Sequence, residues 1–410
     1  MPIGANPLSA ISNSASAGPK DQQNLTYDKL KTKYYEFTYP CATIDLGGKE
    51  FTSEKGDMIV NDVHIELVSG FEASIASFRI YNVFDAESGE FRYDEIGKQI
   101  VMGKPVTISL GYLNTMETVF IGFVAGVNFC YEGQGHLPYI EVNAMDIKGI
   151  MMGGNYACQC TADNYSDAVK EILNRTAYQN LKSGGGYTDC KVDETPDKKA
   201  GGDSNKDSDY TVEMVSESDY DFVVKAAKKF NFEFFVDRGK IYFRKAKSNS
   251  TTLMTIGNGK GLRVFNVGYS LTGLVASVEA RAMDAGQGKI ITAKEKYPEA
   301  GKNISTGNQA KKLLGDGTKV YIDPTIKSQS EAEARASALK ENMSYRLGSL
   351  TGSGVGMPDM VPGRFIKLEG LGSPIDNQFY ITEVIHDFND QSGFETRISG
   401  CTNQIGGMSL

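Results

Sequence analysis

SESDYDFVVKAAKKFNFEFFVDRGKIYFR (residues 216–244) sets a charged helix, a strongly aromatic strand and a tight turn one after another. Ser216, followed by Asp219 three positions on, has the spacing of a capping box. Phe222, Val223, Ala226, Ala227 and Phe230 recur at helical spacing and make one apolar face. Lys225, Lys228 and Lys229 crowd toward the C-terminal end, where the helix dipole is negative. FEFFV then alternates, with Phe232, Phe234 and Val236 on one side of a strand, and DRGK turns the chain back into IYFR. Such rings could be a stacking platform for a ligand, or the core of a module in which a helix covers a hairpin. Their alternation matches the helix stripe, which favours the core. The stretch therefore specifies architecture, an α+β unit.

Strand patterns lie on both sides of it. DVHIELV (62–68) places Val63, Ile65 and Leu67 on one face and Asp62, His64 and Glu66 on the other; PVTISLGY (105–112) alternates likewise. From Tyr34 to Ile150, short strands separated by Gly, Asn and Asp turns predict an antiparallel barrel or sandwich. NYSDAVKEILNRTAY (164–178) carries a helical stripe through Tyr165, Ala168, Val169, Ile172 and Leu173, with Asp163 and Asn164 as capping candidates. Residues 181–209 are polar and rich in Gly, Asp and Lys, with almost nothing to bury, and predict a mobile surface loop. After Lys260 strands resume, give way to an irregular stretch and one alanine-rich helix (328–346), and return in GRFIKLEG, QFYITEVIHDF and FETRISG. The expected division is a disordered arm (1–31), a first β-barrel (32–152), an α+β domain (153–259) and a second β-barrel (260–402). The second barrel carries an inserted irregular or helical segment at about 284–345, and a C-terminal tail (403–410) follows it.

Composition narrows the classes. Of 410 residues 40% are hydrophobic and 23% charged, which suits folded domains with sizeable cores, and 45 glycines exceed the usual ~7% share, as turn-rich β-structure requires. A net charge of −8 argues against nucleic-acid recognition, which needs basic faces. No apolar run reaches the ~18 residues of a membrane span, so no membrane insertion by this chain is expected. MPIGANPLSAISNSASAGPK lacks the charged start and apolar centre of a secretory signal. Six cysteines scattered through so long a chain are not a disulfide framework, and folding in a reducing cytoplasm is expected.

Chemistry is sparse. His64, His136 and His386 stand at no metal-ligand spacing, and the CQC of Cys158 and Cys160 lacks the second pair that zinc needs. GxSxG, HExxH and the P-loop pattern are absent, and GGG (184–186) follows no strand and opens no helix. No pair of carboxylates is singled out as an acid and base. No catalytic residue, cofactor or metal is assigned, and the chain is expected not to be an enzyme.

Six stretches, in order, carry a resemblance. They are YPCATIDLGGKEF (39–51), GKPVTISLGY (103–112), IGFVAGVNFCYEGQGHLPYIEVNAMD (121–146), the opening stretch, SEAEARASALKENM (330–343) and GMPDMVPGRFIKLEGLGSPIDNQFYITEVIHDFND (356–390). Together they resemble, over roughly residues 34–402, the hub proteins of contractile injection machines: the phage late-control D proteins and the hub portion of VgrG. The resemblance implies an α+β, β-rich fold with two tube-like antiparallel β-barrel domains around an α+β region, closing as a homotrimeric ring. Three chains with two barrels each have approximate sixfold symmetry, so the implied role is a structural baseplate hub joining a sixfold tail tube to a threefold spike. A tail-associated peptidoglycan hydrolase is the alternative. The implied partners are a spike protein on one face and a tail tube or tube-initiator protein on the other. Assembly in the producing bacterium's cytoplasm would precede incorporation into a phage tail, tailocin or injection particle. VgrG-type chains run on into the spike, whereas this one stops at Leu410, so a separate spike polypeptide is expected. It would dock near the C-terminal tail, at Cys401, Thr402, Asn403, Gln404, Ile405, Met408 and Leu410.

Overall fold

The computed structural model describes residues 24–133, 135–197, 212–284, 288–296, 315–326 and 328–405. Strand β1 (Leu25–Thr26) leads into helix α1 (Tyr27–Lys33), capped by the Thr26 hydroxyl, which accepts the Lys29 N–H. Leu30 and Tyr34 are buried, and the Tyr34 hydroxyl donates to buried Asp359 at 2.5 Å while the Lys33 ammonium lies 2.9 Å from the same carboxylate. Residues 24–31, expected within a disordered arm, are therefore docked; residues 1–23 lie outside the described residues. The apolar side chains are few, but each meets the barrel wall, which composition alone does not register. Deleting residues 24–34 is expected to cost about 3–5 kcal/mol in urea denaturation, because it empties two core positions and orphans Asp359. Unchanged stability would show that α1 only rests on the surface.

The first sheet comprises β2 (Pro40–Leu46), β3 (Lys49–Thr52), β4 (Ile59–Val68) and β5 (Ile75–Tyr81). After a short β6 (Phe84–Asp85), β7 (Glu90–Phe91) and α2 (Tyr93–Ile96), it adds β8 (Pro105–Tyr112), β9 (Thr115–Cys130) and β10 (Tyr139–Met145). The strands run antiparallel in the order β3-β2-β8-β9-β10-β5-β4. Val63, Ile65 and Leu67 point inward, as the alternation predicts. The end strands β3 and β4 come close, but no ladder joins them among the described residues.

The α+β unit holds α3 (Ile147–Met151), β11 (Tyr156–Gln159), α4 (Tyr165–Leu173), α5 (Thr176–Ser183), β12 (Asp189–Val192) and β13 (Glu213–Glu217). It ends with α6 (Asp219–Phe230), β14 (Phe232–Asp237) and β15 (Lys240–Lys245). Asn164 caps α4. The capping box of α6 is Ser218 with Asp221, two residues beyond the expected Ser216 and Asp219, because Glu217 is still paired with Tyr156 in the β13–β11 ladder. Phe222, Val223, Ala226 and Ala227 share one core with Phe232, Phe234 and Val236. The helix stops at Asn231 in the left-handed conformation that Asn tolerates. Arg238 and Gly239, both at positive φ, make the two-residue turn between β14 and β15. The expected mobile loop is corrected over 181–197: α5 runs to Ser183, and β12 pairs in parallel with β15. Tyr187 is buried there, and the Thr195 hydroxyl accepts the Ser166 N–H at the start of α4. Residues 198–209 of that expectation lie outside the described residues.

Strands β16 (Thr252–Asn258), β17 (Gly261–Tyr269), β18 (Ser277–Asp284), β19 (Lys289–Lys296) and β20 (Thr318–Ile322) precede α7 (Gln329–Ser344). Strands β21 (Gly348–Val355), β22 (Phe365–Leu368), β23 (Gln378–Asn389) and β24 (Gly393–Thr402) follow. Six of them close a barrel in the order β16-β17-β21-β24-β23-β22, with β22 returning to β16. Two of its pairings, β16–β17 and β16–β22, are parallel, which departs from an all-antiparallel barrel. The barrel also begins at Thr252, inside the segment expected to belong to the α+β domain. The insert is more regular than expected: β19-β18-β20 form a sheet, and Ala332 and Ala336 of α7 pack on Ala280, Ala282 and Ala293.

Strand β23 decides how the two β regions join. Its first residues close the barrel against β22; beyond Tyr380 that neighbour ends, and Glu383–Phe388 pair with Val68–Val63 of β4. One sheet thus runs through both regions over a shared core.

Candidate functional site

The α+β hairpin meets the barrel through the outer face of β14 and β15. Glu233 and Arg244 stand directly opposite each other, because a turn at 238–239 fixes that register. The Glu233 carboxylate accepts from Arg244 Nε at 2.6 Å and from the Tyr380 hydroxyl of β23. Arg244 Nη2 donates to the Gly363 carbonyl at 2.6 Å, and its guanidinium lies about 5 Å from the rings of Phe235 and Tyr242, which stack on each other. Gly363 (φ +77°) has no room for a Cβ, which would lie 2.7 Å from the Phe235 ring. Burial raises the Glu233 carboxyl above its ordinary range, and the Arg244 charge opposes that shift. Burial also raises the Tyr380 phenol. With both oxygens engaged, the carboxylate joins the hairpin to the barrel.

A second buried pair ties the unit to the first sheet. Asp146 caps α3 and accepts the Ser74 N–H at 2.9 Å; the Lys148 ammonium, 3.9 Å from it, donates to the Gly70 and Glu72 carbonyls. Desolvation pushes the Lys148 pKa down, against the pull of Asp146. Between these two joints lies a cleft of about 760 Å³ lined by Phe71, Lys228, Glu233, Arg335, Tyr380 and Glu383, drawn from every unit of the chain.

The histidines take structural positions. His64 Nδ1 lies 2.7 Å from Asp387 across the β4–β23 ladder, and Arg397 also contacts that carboxylate. The Asp387 hydrogen bond raises the His64 pKa, so this pair adds stability at low pH and loses it as pH rises past the raised value. His386 is wholly buried in the barrel. Thr396 Oγ1 accepts the Met357 N–H and lies 2.9 Å from His386 Nδ1, within hydrogen-bond distance. Burial lowers the His386 pKa to about 4. Below pH ~6.5 the unfolded chain takes up a proton that the folded chain refuses, so stability falls as pH drops from ~6.5 toward 4. The expected loss is about 3 kcal/mol, read by urea denaturation at both pH values. A His386→Phe variant should lack that part of the acid sensitivity; equal sensitivity in both proteins would assign it elsewhere.

His136 and Cys158 are exposed and Cys160 is buried. Among the described residues no group of three or more His, Cys, Asp or Glu could hold a metal ion, and no helix is long and apolar enough to cross a membrane. Cys401 and Thr402 end β24, and Asn403 follows. The Gln404 carbonyl accepts from Asn377 Nδ2 at 2.7 Å, and Ile405 is buried with Leu274, Val278, Met343 and Leu347. The chain's own barrel and insert thus take up Gln404 and Ile405, within the stretch expected to meet a spike protein; Met408 and Leu410 lie outside the described residues. The residues that do bring the units together, Glu233, Arg244 and Tyr380, were not singled out by the sequence. The signal was there: a Glu and an Arg interrupt two apolar strands at positions the turn sets opposite each other.

The fold is similar to solved tail proteins. A tail protein from Neisseria meningitidis MC58 aligns with a TM-score of 0.62 at 12% identity, over 89% of this chain and 97% of that one. The 43 kDa tail protein of prophage MuSo2 from Shewanella oneidensis aligns with a TM-score of 0.59 at 13% identity, over 89% and 98%. A chain of the Francisella PdpA–VgrG complex aligns at 0.51 and 8% identity, over 92% of this chain and 61% of that one. The chain also matches the model of a family described as the Alg8 N-terminal domain over residues 202–390, under half its length and stopping short of β24. No curated protein matches the sequence.

Proposed function

We propose that this chain is a structural hub subunit of a phage-type tail or related contractile injection machine, working as a homotrimeric ring between a tail tube and a spike. The observation that carries this reading is the likeness to two tail proteins over nearly their whole lengths, spanning the barrel, the first sheet and the α+β unit alike. The joints support it: Arg244 and Glu233 hydrogen-bond to Gly363 and Tyr380 of the barrel, Asp146 and Lys148 to Ser74, Gly70 and Glu72 of the first sheet, and the β4–β23 ladder links the two β regions, as a part that transmits load requires. In a ring, each chain would present its closed barrel and its curled first sheet in turn, giving sixfold quasi-symmetry to a threefold assembly.

Light scattering of the purified chain, alone and with the spike and tube proteins encoded beside it, tests the reading. Three copies per complex are expected, and a stable dimer or tetramer would overturn it. A zymogram on peptidoglycan is expected to show no clearing; clearing would favour the hydrolase alternative.

A further inference from the structure

Two apolar surfaces of this chain lack a cover among its described residues, and their charges are opposite. The first is the outer face of the insert sheet. Its inner face is packed on α7, but Met283, Ile290 and Ile322 on the outer face are 67%, 66% and 82% exposed. The ladder puts them together: Met283 pairs with Ile290, and Ile322 with Arg281. Arg281, Lys294 and Lys296 share that face by strand alternation, and its one carboxylate, Glu279, is already paired with Arg281.

The second is an aromatic platform on the first sheet. Phe84 packs on Phe91 and Tyr131, and Phe129 packs on Phe91 and Tyr93, with ring centroids 5.1–6.3 Å apart. Tyr93, Phe129 and Tyr131 are all exposed. Residues 84–95 around it carry five carboxylates and one arginine. Beyond Val124, moreover, β9 pairs only with β10 among the described residues. Its open edge, AGVNFC (125–130), has none of the charges or prolines by which solitary sheet edges are usually blunted. Apolar surface of this extent beside an open edge marks an interaction site.

The geometry points to a head-to-tail contact between two copies of this chain, in which the basic-rimmed outer face of β18–β20 docks on the acid-rimmed aromatic platform of the next copy. The inference rests on the ring reading and names its surfaces. Each copy carries both halves on different elements, so the contact is heterologous, and such contacts close into rings when the rotation allows. Opposite rims steer the two faces together and disfavour face-to-face pairing of like surfaces.

The test uses the full chain with photoreactive benzoylphenylalanine at position 290, assembled as in the light-scattering experiment and mapped by mass spectrometry. Crosslinks between copies, onto residues 84–95 or 129–132, are expected. In parallel, Lys294→Glu with Lys296→Glu should weaken assembly roughly tenfold, and adding Glu90→Lys with Asp94→Lys should restore most of it. Crosslinks to another surface of a second copy would overturn this pairing while leaving the ring. Crosslinks within one copy, onto residues 297–314, would show that the chain covers its own sheet and would also overturn it. A chain that stays monomeric alone and with its partners would overturn the ring reading itself.

Discussion

Glu233→Ala is expected to lower the free energy of unfolding by about 3–5 kcal/mol, because it leaves the Arg244 guanidinium buried without its counter-charge and the Tyr380 hydroxyl without its acceptor. The double variant Glu233→Met with Arg244→Met should recover much of that loss, since removing both charges also removes the cost of keeping them out of water. Tyr380→Phe should cost less, about 1–2 kcal/mol, because Arg244 still satisfies the carboxylate. Chemical denaturation of the four proteins under one condition makes the comparison. A Glu233→Ala protein as stable as the parent would mean that water enters the cleft and solvates Arg244. The hairpin would then not be locked to the barrel.

Phe234→Ala is expected to cost about 3–5 kcal/mol as well, for a different reason. The ring is wholly buried in the core that α6 shares with β14 and β15, and its loss leaves a cavity lined by groups that neighbouring elements hold in place. Phe222→Ala should behave alike from the helix side. Phe235→Ala is the informative contrast, since its ring lies on the opposite face of β14, under Arg244. It should loosen the joint to the barrel more than the α+β core, which hydrogen exchange of β15 and β22 would resolve. Wild-type stability in Phe234→Ala, together with lost partner binding, would revive the ligand-platform reading of these aromatics.

Much of the local structure was legible in residue order. The α6 stripe, the alternation of β4 and β8, the Asn164 cap and the strand–helix–strand sequence all depend on neighbours within a few residues, and periodicity records them directly. The Glu233–Arg244 pair belonged to this class too, since a two-residue turn at Arg238–Gly239 sets the register between them. The misreadings share a cause. Residues 24–31 and 181–197 have little to bury, and low apolar content predicts disorder. Yet Leu30 and Tyr187 each find a wall built elsewhere in the chain.

Sequence by itself therefore determined many strands of the two β regions, the amphipathic faces of α4 and α6 and the helix-over-hairpin module at 216–244. It did so because those features are written in spacings of two to four residues. Only the tertiary structure decided that β23 leaves β22 after Tyr380 and takes β4, more than 300 residues earlier, as its next neighbour. The same holds for β16 joining the barrel in parallel, and for Gln404 and Ile405 packing onto their own chain. Each of these choices settles which exposed backbone edge or apolar side chain meets which vacant partner. That is fixed by the curvature and closure of the whole sheet, and no local pattern carries it.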